Sequence, residues 1–196
     1  MSKDRSIVAA KIAALSDLER LRKAKEIRSA MRSLVLLLDC SASMDEIVGD
    51  KRKIDHLRDA VVVFPEAKLY GFSNNFFEIR EGVPEPMSST AMRHAFRQIA
   101  SYVDSSTRLI LISDGLPTDG SDEEVIAQAK LLPCPVNVLY IGDDEKGERF
   151  MKELARATGG QEITLSPQEL QVDLGTALTD GIQKLALPPA RRNDGK

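Results

Sequence analysis

Tryptophan is absent from this 196-residue chain and aromatic residues make up only 5% of it. A single-strand nucleic-acid platform built on stacked rings is therefore disfavoured. Cysteine is nearly as scarce. Cys40 and Cys134 are the only two, each beside or within an apolar stretch, which excludes a disulfide framework and a cysteine zinc site and fits free buried thiols. No apolar run approaches the 18 or so residues of a membrane span, and charges interrupt the N-terminal region where a secretory leader would need an apolar core. The expectation is a cytoplasmic protein with no membrane segment. Internal repeats and low-complexity tracts are also missing.

What is present is an ordinary globular composition, 42% hydrophobic and 29% charged. A chain of this length makes one domain that buries roughly 70% of the surface its unfolded form exposes. Net charge is −3, unevenly spread: residues 1 to 33 hold nine Lys or Arg against four acids, a balance of +5 that leaves −8 for the rest. Val8, Ile12, Leu15, Leu18, Leu21, Ile27 and Met31 recur at near-helical steps, so residues 1–32 read as a basic amphipathic helical extension. Its basic flanks could touch nucleic acid or an anionic surface. Packing of its stripe on the acidic main domain, with the charges solvated, is the favoured reading.

From residue 33 the pattern becomes regular. Leu34 to Leu38 is an unalternating apolar run, as expected of a central parallel strand buried on both faces. Ile54, Leu57, Val61 and Phe64 then keep helical spacing up to Pro65. AKLYGF (67–72) and NFFEI (75–79) predict two short strands joined at Ser73 and Asn74, an antiparallel edge hairpin. Met92, Ala95, Phe96, Ile99 and Val103 stripe the next helix, and RLILIS (108–113) is a second unbroken strand. Ser121 and Glu124 predict a capping box for a helix striped by Val125, Ala129 and Leu132; VNVLYI (136–141) is a third buried strand. A helix near 147–157 stops at Gly159 and Gly160, Ile163 to Leu165 forms a last strand, and Ser166, Pro167 and Glu169 predict the cap of a terminal helix reaching Leu185. Strands alternating with helices predict an α/β fold, a doubly wound and mostly parallel sheet flanked by helices with one antiparallel edge strand, whose ligands bind beyond the carboxyl ends of the strands. Three segments result: the extension 1–32, the domain 33–187 and a polar, disordered tail 188–196.

That topology sets Asp39 and Asp114, each ending a buried strand, at one edge of the sheet. In LVLLLDCSASMDE, extended alternation turns Asp39, Ser41 and Ser43 toward one point. Three hard oxygen donors beside a second carboxylate suit Mg²⁺, which wants six oxygens at about 2.1 Å and keeps some waters.

DCSAS at 39–43 matches the Asp-x-Ser-x-Ser signature of von Willebrand factor A (VWA) domains, and DGLPTD at 114–119 resembles the Asp-Gly-x-x-Thr-Asp element after a later strand of that family. The resemblance spans roughly residues 33 to 185. It implies a Rossmann-like fold carrying a metal-ion-dependent adhesion site (MIDAS), with Mg²⁺, or alternatively Mn²⁺ or Ca²⁺, held by Asp39, Ser41, Ser43, Thr90 and Asp114. The family writes a Gly before the loop Thr, whereas Ser88 and Ser89 precede Thr90 here, so either serine is an alternative donor. The resemblance also implies a protein partner that supplies an Asp or Glu to the metal. Bacterial stand-alone domains of this kind work beside AAA+ ATPases or in tellurite-resistance-type stress systems.

Two other functional readings belong to different classes. An Asp ending a buried strand also begins the haloacid-dehalogenase phosphatases, where a second Asp two residues on is the general acid; position 41 is Ser, and no lysine following a strand is evident. A nucleic-acid scaffold working through the N-terminal helix is the other. No enzyme activity is expected. Asp119 is assigned a structural role in its loop, Asp45 and Glu46 are read as solvated loop acids, and His56 and His94 as packing or surface residues. Cys40 is expected to point into the core, away from the metal. GDDEKG (142–147) lacks the alternating spacing of a calcium loop and reads as an acidic turn.

Overall fold

The computed structural model describes residues 33–166 and 173–187. The expected N-terminal helix, the polar tail, and the Pro167 and Glu169 part of the terminal cap lie outside those residues.

Among the described residues six strands form one sheet: β1 (Leu34–Asp39), β4 (Lys68–Phe72), β5 (Phe76–Glu78), β6 (Arg108–Ser113), β7 (Val136–Ile141) and β8 (Glu162–Leu165), in the order β5-β4-β1-β6-β7-β8. Every neighbouring pair is parallel except β4 and β5, whose antiparallel pairing of Gly71 with Phe77 makes the predicted edge hairpin. Between β1 and the first helix a two-stranded ribbon, β2 (Ile47–Val48) and β3 (Lys51–Arg52), turns at Gly49, whose φ of 68° needs a residue without Cβ. The sequence reading did not foresee this ribbon.

Among the described residues five helices cover the two faces: α1 (Lys53–Val61), α2 (Met92–Ile99), α3 (Asp122–Ala129), α4 (Glu145–Thr158) and α5 (Leu174–Ala186). Because side chains alternate across a strand, β1 sends Leu34, Leu36 and Leu38 into a core with α1 and α5, and Val35 and Leu37 into a second core with α2, α3 and α4. Both faces of β1 are thus dry, which is why its sequence shows no alternation. Each fully buried Leu of these layers contributes roughly 2 kcal/mol.

The punctuation follows local chemistry. Ser121 and Glu124 form the predicted capping box of α3, and Gly159, at φ 78°, closes α4 in the left-handed conformation. The helix α5 differs from expectation: its described part starts at Leu174, where the Asp173 side chain accepts from Thr176 N. Asp144 caps α4 by accepting from Gly147 N at 2.7 Å, so only 142–144 of GDDEKG form the acidic turn; the helix begins at Glu145, two residues earlier than expected.

Candidate metal centre

At the carboxyl edge of the sheet β1 delivers Asp39. The register that pairs Leu38 with Ile112 places Asp39 beside Ser113 at the end of β6, and Ser113 Oγ donates to Asp39 Oδ2 at 2.5 Å. Oδ1 accepts the Ser41 backbone N–H at 2.8 Å. The side chain is fully buried, and burial, followed by the negative charge of Asp114, pushes its pKa up to about 7, against the lowering effect of those hydrogen bonds.

After Asp39 the extended alternation does not continue as the sequence suggested. Ser41 stays extended and bridges Met87, but Ala42–Asp45 form a 3-10 turn. The tighter turn still brings the two hydroxyls together, Ser41 Oγ and Ser43 Oγ lying 3.0 Å apart. Ser43 Oγ donates to Asp114 Oδ1 at 2.7 Å. Asp39, Ser41, Ser43 and Asp114 are therefore one connected cluster, with Ser41 buried and Ser43 exposed to solvent.

Thr90 reaches the same place from the other side. A Cβ built on Gly115 would stand 3.8 Å from Ser43 Oγ and 3.9 Å from Thr90 Oγ1, so both hydroxyls lie beside the same point of the DGLPTD loop. Ser88 and Ser89, the alternatives for the loop position, are turned away: both hydroxyls bond the Asn74 side chain. The DGLPTD loop fixes the threonine. Thr90 N–H donates to Thr118 Oγ1 at 3.1 Å and Thr118 N–H donates back to Thr90 O at 3.0 Å. Asp119 accepts from Arg93 N at 3.0 Å and His94 N at 2.7 Å, serving α2 as a cap that Ala91 cannot provide. Asp119 has the structural role expected of it, exercised on α2 and its Thr90 approach.

Lys53 is the residue sequence reasoning missed. The first residue of α1, with a side chain only 7% exposed, it places Nζ 2.9 Å from Asp114 Oδ2, and the same ammonium contacts Glu46. Burial alone would lower its pKa; Asp114 and then Glu46 more than offset this and hold it above the ordinary lysine value. Glu46 is thus ion-paired, as is Asp45 with Arg52 at 2.9 Å, so neither is merely a solvated loop acid. The sequence showed no evident lysine following a strand, yet Lys53 comes directly after β3; strands of two residues leave no pattern to mark it. Ser113 and Thr118 were also missed; the signal for Ser113 was its place at the end of RLILIS, one step beyond the last residue registered with β1.

Other sequence-marked residues lie apart from this chemistry. His56 is buried with Nε2 2.9 Å from Val48 O, a packing role. Cys40 points into the core beside Leu38, its thiol pushed up to about 12 first by burial and then by Asp39.

Among the described residues no three His, Cys, Asp or Glu are grouped to hold a metal. The donor set here is of another kind: three hydroxyls and two carboxylates, hard oxygens of the type that Mg²⁺ and Mn²⁺ prefer. This set fits a small divalent cation, and Lys53 is the cation ion-paired with it among the described residues.

No protein-family model matches the chain, and no curated protein matches it by sequence. Solved structures do. BatB from Bacteroides thetaiotaomicron aligns with a TM-score of 0.53 at 16% identity, over 78% of this chain and 98% of that one. Proximal thread matrix protein 1 from the mussel byssus, solved with zinc in its MIDAS motif, aligns with a TM-score of 0.53 at 13% identity, over 78% of this chain and 45% of that one. The chain therefore spans less than half of the mussel protein. The parallel sheet, its antiparallel edge and its covering helices are those of the VWA fold.

Proposed function

We propose that the chain is a divalent-metal-dependent protein-binding module, with Asp39, Ser41, Ser43, Thr90 and Asp114 forming a site of MIDAS type. The observation that carries this reading is the connected run Ser41 Oγ, Ser43 Oγ and Asp114 Oδ1, with contacts of 3.0 and 2.7 Å, opening to solvent at Ser43 beyond the strand ends. The mussel protein, which holds zinc in a MIDAS motif on a similar fold, supports it. Mg²⁺ is the proposed resident ion, with Mn²⁺ or Ca²⁺ as substitutes. A bound cation supplies an open coordination position for the carboxylate of a partner's Asp or Glu. Asp39 and its hydrogen bonds hold the DCSAS turn; Thr118 and Asp119 hold Thr90 against it.

Binding is favoured over catalysis for a physical reason. A phosphatase nucleophile must reach phosphorus, whereas Asp39 is 0% exposed and both of its oxygens accept hydrogen bonds. Free, buried cysteines suit a reducing, intracellular compartment. An AAA+ ATPase or a component of a tellurite-resistance-type stress system is the proposed kind of partner. Affinity capture from the native host, using wild type and Asp39→Asn with Mg²⁺ or with EDTA, should recover proteins only with metal-loaded wild type. Identical captures in all four samples would sink the reading, as would phosphatase turnover lost in the variant.

A further inference from the structure

We propose that Lys53 is a built-in counter-ion: it competes with the divalent cation for Asp114, and once displaced it leaves the loaded site with surplus positive charge that favours an incoming carboxylate. The inference rests on the metal-centre reading above. Both oxygens of Asp114 are committed, Oδ1 to Ser43 Oγ at 2.7 Å and Oδ2 to Lys53 Nζ at 2.9 Å, and the Asp114 side chain is 0% exposed. A cation that takes hold of this carboxylate must therefore loosen a buried ammonium.

The ammonium has somewhere to go. Glu46 already contacts it from the solvent side, with a side chain 65% exposed, so Lys53 can release Asp114 and remain paired. Packing does not require a lysine at this position, since Ile54 and Leu57 carry the apolar contacts of the first turns of α1. A buried lysine is costly without a partner, and here its partner is a proposed metal ligand.

Charge counting gives the consequence. In the loaded site the Asp39 and Asp114 carboxylates and a divalent ion sum to zero and Lys53 makes the sum +1, part of which Glu46 offsets through its contact with the ammonium. Lys53 thus lowers metal affinity and raises the attraction of the loaded site for an acid.

The test uses Mn²⁺ alone, with free ion followed by electron paramagnetic resonance, on the full chain and three variants. Lys53→Met should bind Mn²⁺ about tenfold or more tighter than wild type, and Lys53→Arg within about threefold of it. Without metal, Lys53→Met should unfold at lower temperature, because Asp114 is left buried without its cation. Acetate should bind Mn²⁺-loaded Lys53→Met more weakly than loaded wild type. Glu46→Gln alters an exposed side chain and keeps the fold secure; it should weaken Mn²⁺ binding even at about 0.5 M salt, where long-range charge effects are screened. The inference is overturned if Lys53→Met binds Mn²⁺ no tighter than wild type, or if that variant does not fold and Glu46→Gln matches wild type. Absence of Mn²⁺ binding in wild type and every variant would overturn the metal centre and this inference together.

Discussion

Replacing Asp39 by Asn separates the fold from the proposed metal chemistry, because Asn keeps the shape and removes the buried charge. In the wild type the carboxyl has a pKa of about 7 against an ordinary value of 3.8. Below about pH 4 the group is protonated folded and unfolded; between there and about 7 only the folded state holds the proton. Stability of the metal-free protein therefore falls as pH rises through that window, and the loss is complete above 7. A difference of about three in pKa corresponds to on the order of 4 kcal/mol. Asn at this position can still accept from Ser41 N, and its amide can donate to Ser113 Oγ, so no buried polar atom is stranded. The assay is urea unfolding in EDTA at pH 5 and pH 8 for both proteins. Titration of groups distant from Asp39 is common to the two and cancels in the difference. Wild type should lose about 2 to 3 kcal/mol between the two pH values relative to Asp39→Asn, and the variant should be the more stable at pH 8. A variant less stable than wild type at pH 8, or parallel pH profiles, would refute the reasoning.

The other expectations concern the shell around that carboxylate. Thr90→Val should lower Mn²⁺ affinity by about tenfold or more, whereas Ser88→Ala and Ser89→Ala, whose hydroxyls bond Asn74, should leave it within about twofold; titration of the three variants checks this. Asp119→Ala removes both acceptors from the start of α2 and should cost about 1 to 2 kcal/mol in urea unfolding, with a further loss of Mn²⁺ affinity because Thr90 is less firmly held. Gly160→Ala should be the more damaging change although it lies far from the site: a Cβ there would stand 2.0 Å from Val136 O, so thermal unfolding should show β7 and its neighbours destabilised by more than 2 kcal/mol, roughly.

The sheet was legible because burial on both faces writes itself into sequence. LVLLLD and RLILIS admit polar side chains only at their ends, VNVLYI only Asn137 and Tyr140 within it, and those three segments are β1, β6 and β7 at the centre. The β2–β3 ribbon was not legible, since strands of two residues are too short to show a period. Within the site, Asp39, Ser41, Ser43 and Asp114 could be picked out because each follows a buried strand closely. Lys53, Ser113 and Thr118 could not, because their roles depend on what the register and the helix packing bring opposite them. The choice among Ser88, Ser89 and Thr90 needed the side chain of Asn74, which engages both serines.

The central claim is that Asp39, Ser41, Ser43, Thr90 and Asp114 hold one divalent ion at the edge of the sheet. Anomalous scattering at the manganese edge, from crystals of the full chain grown in Mn²⁺, tests it most directly. The account predicts one strong peak within about 2.2 Å of the Ser41, Ser43 and Thr90 hydroxyl oxygens, with Lys53 Nζ drawn off Asp114 toward Glu46. A peak elsewhere, or none at this edge while Lys53 remains on Asp114, would contradict it.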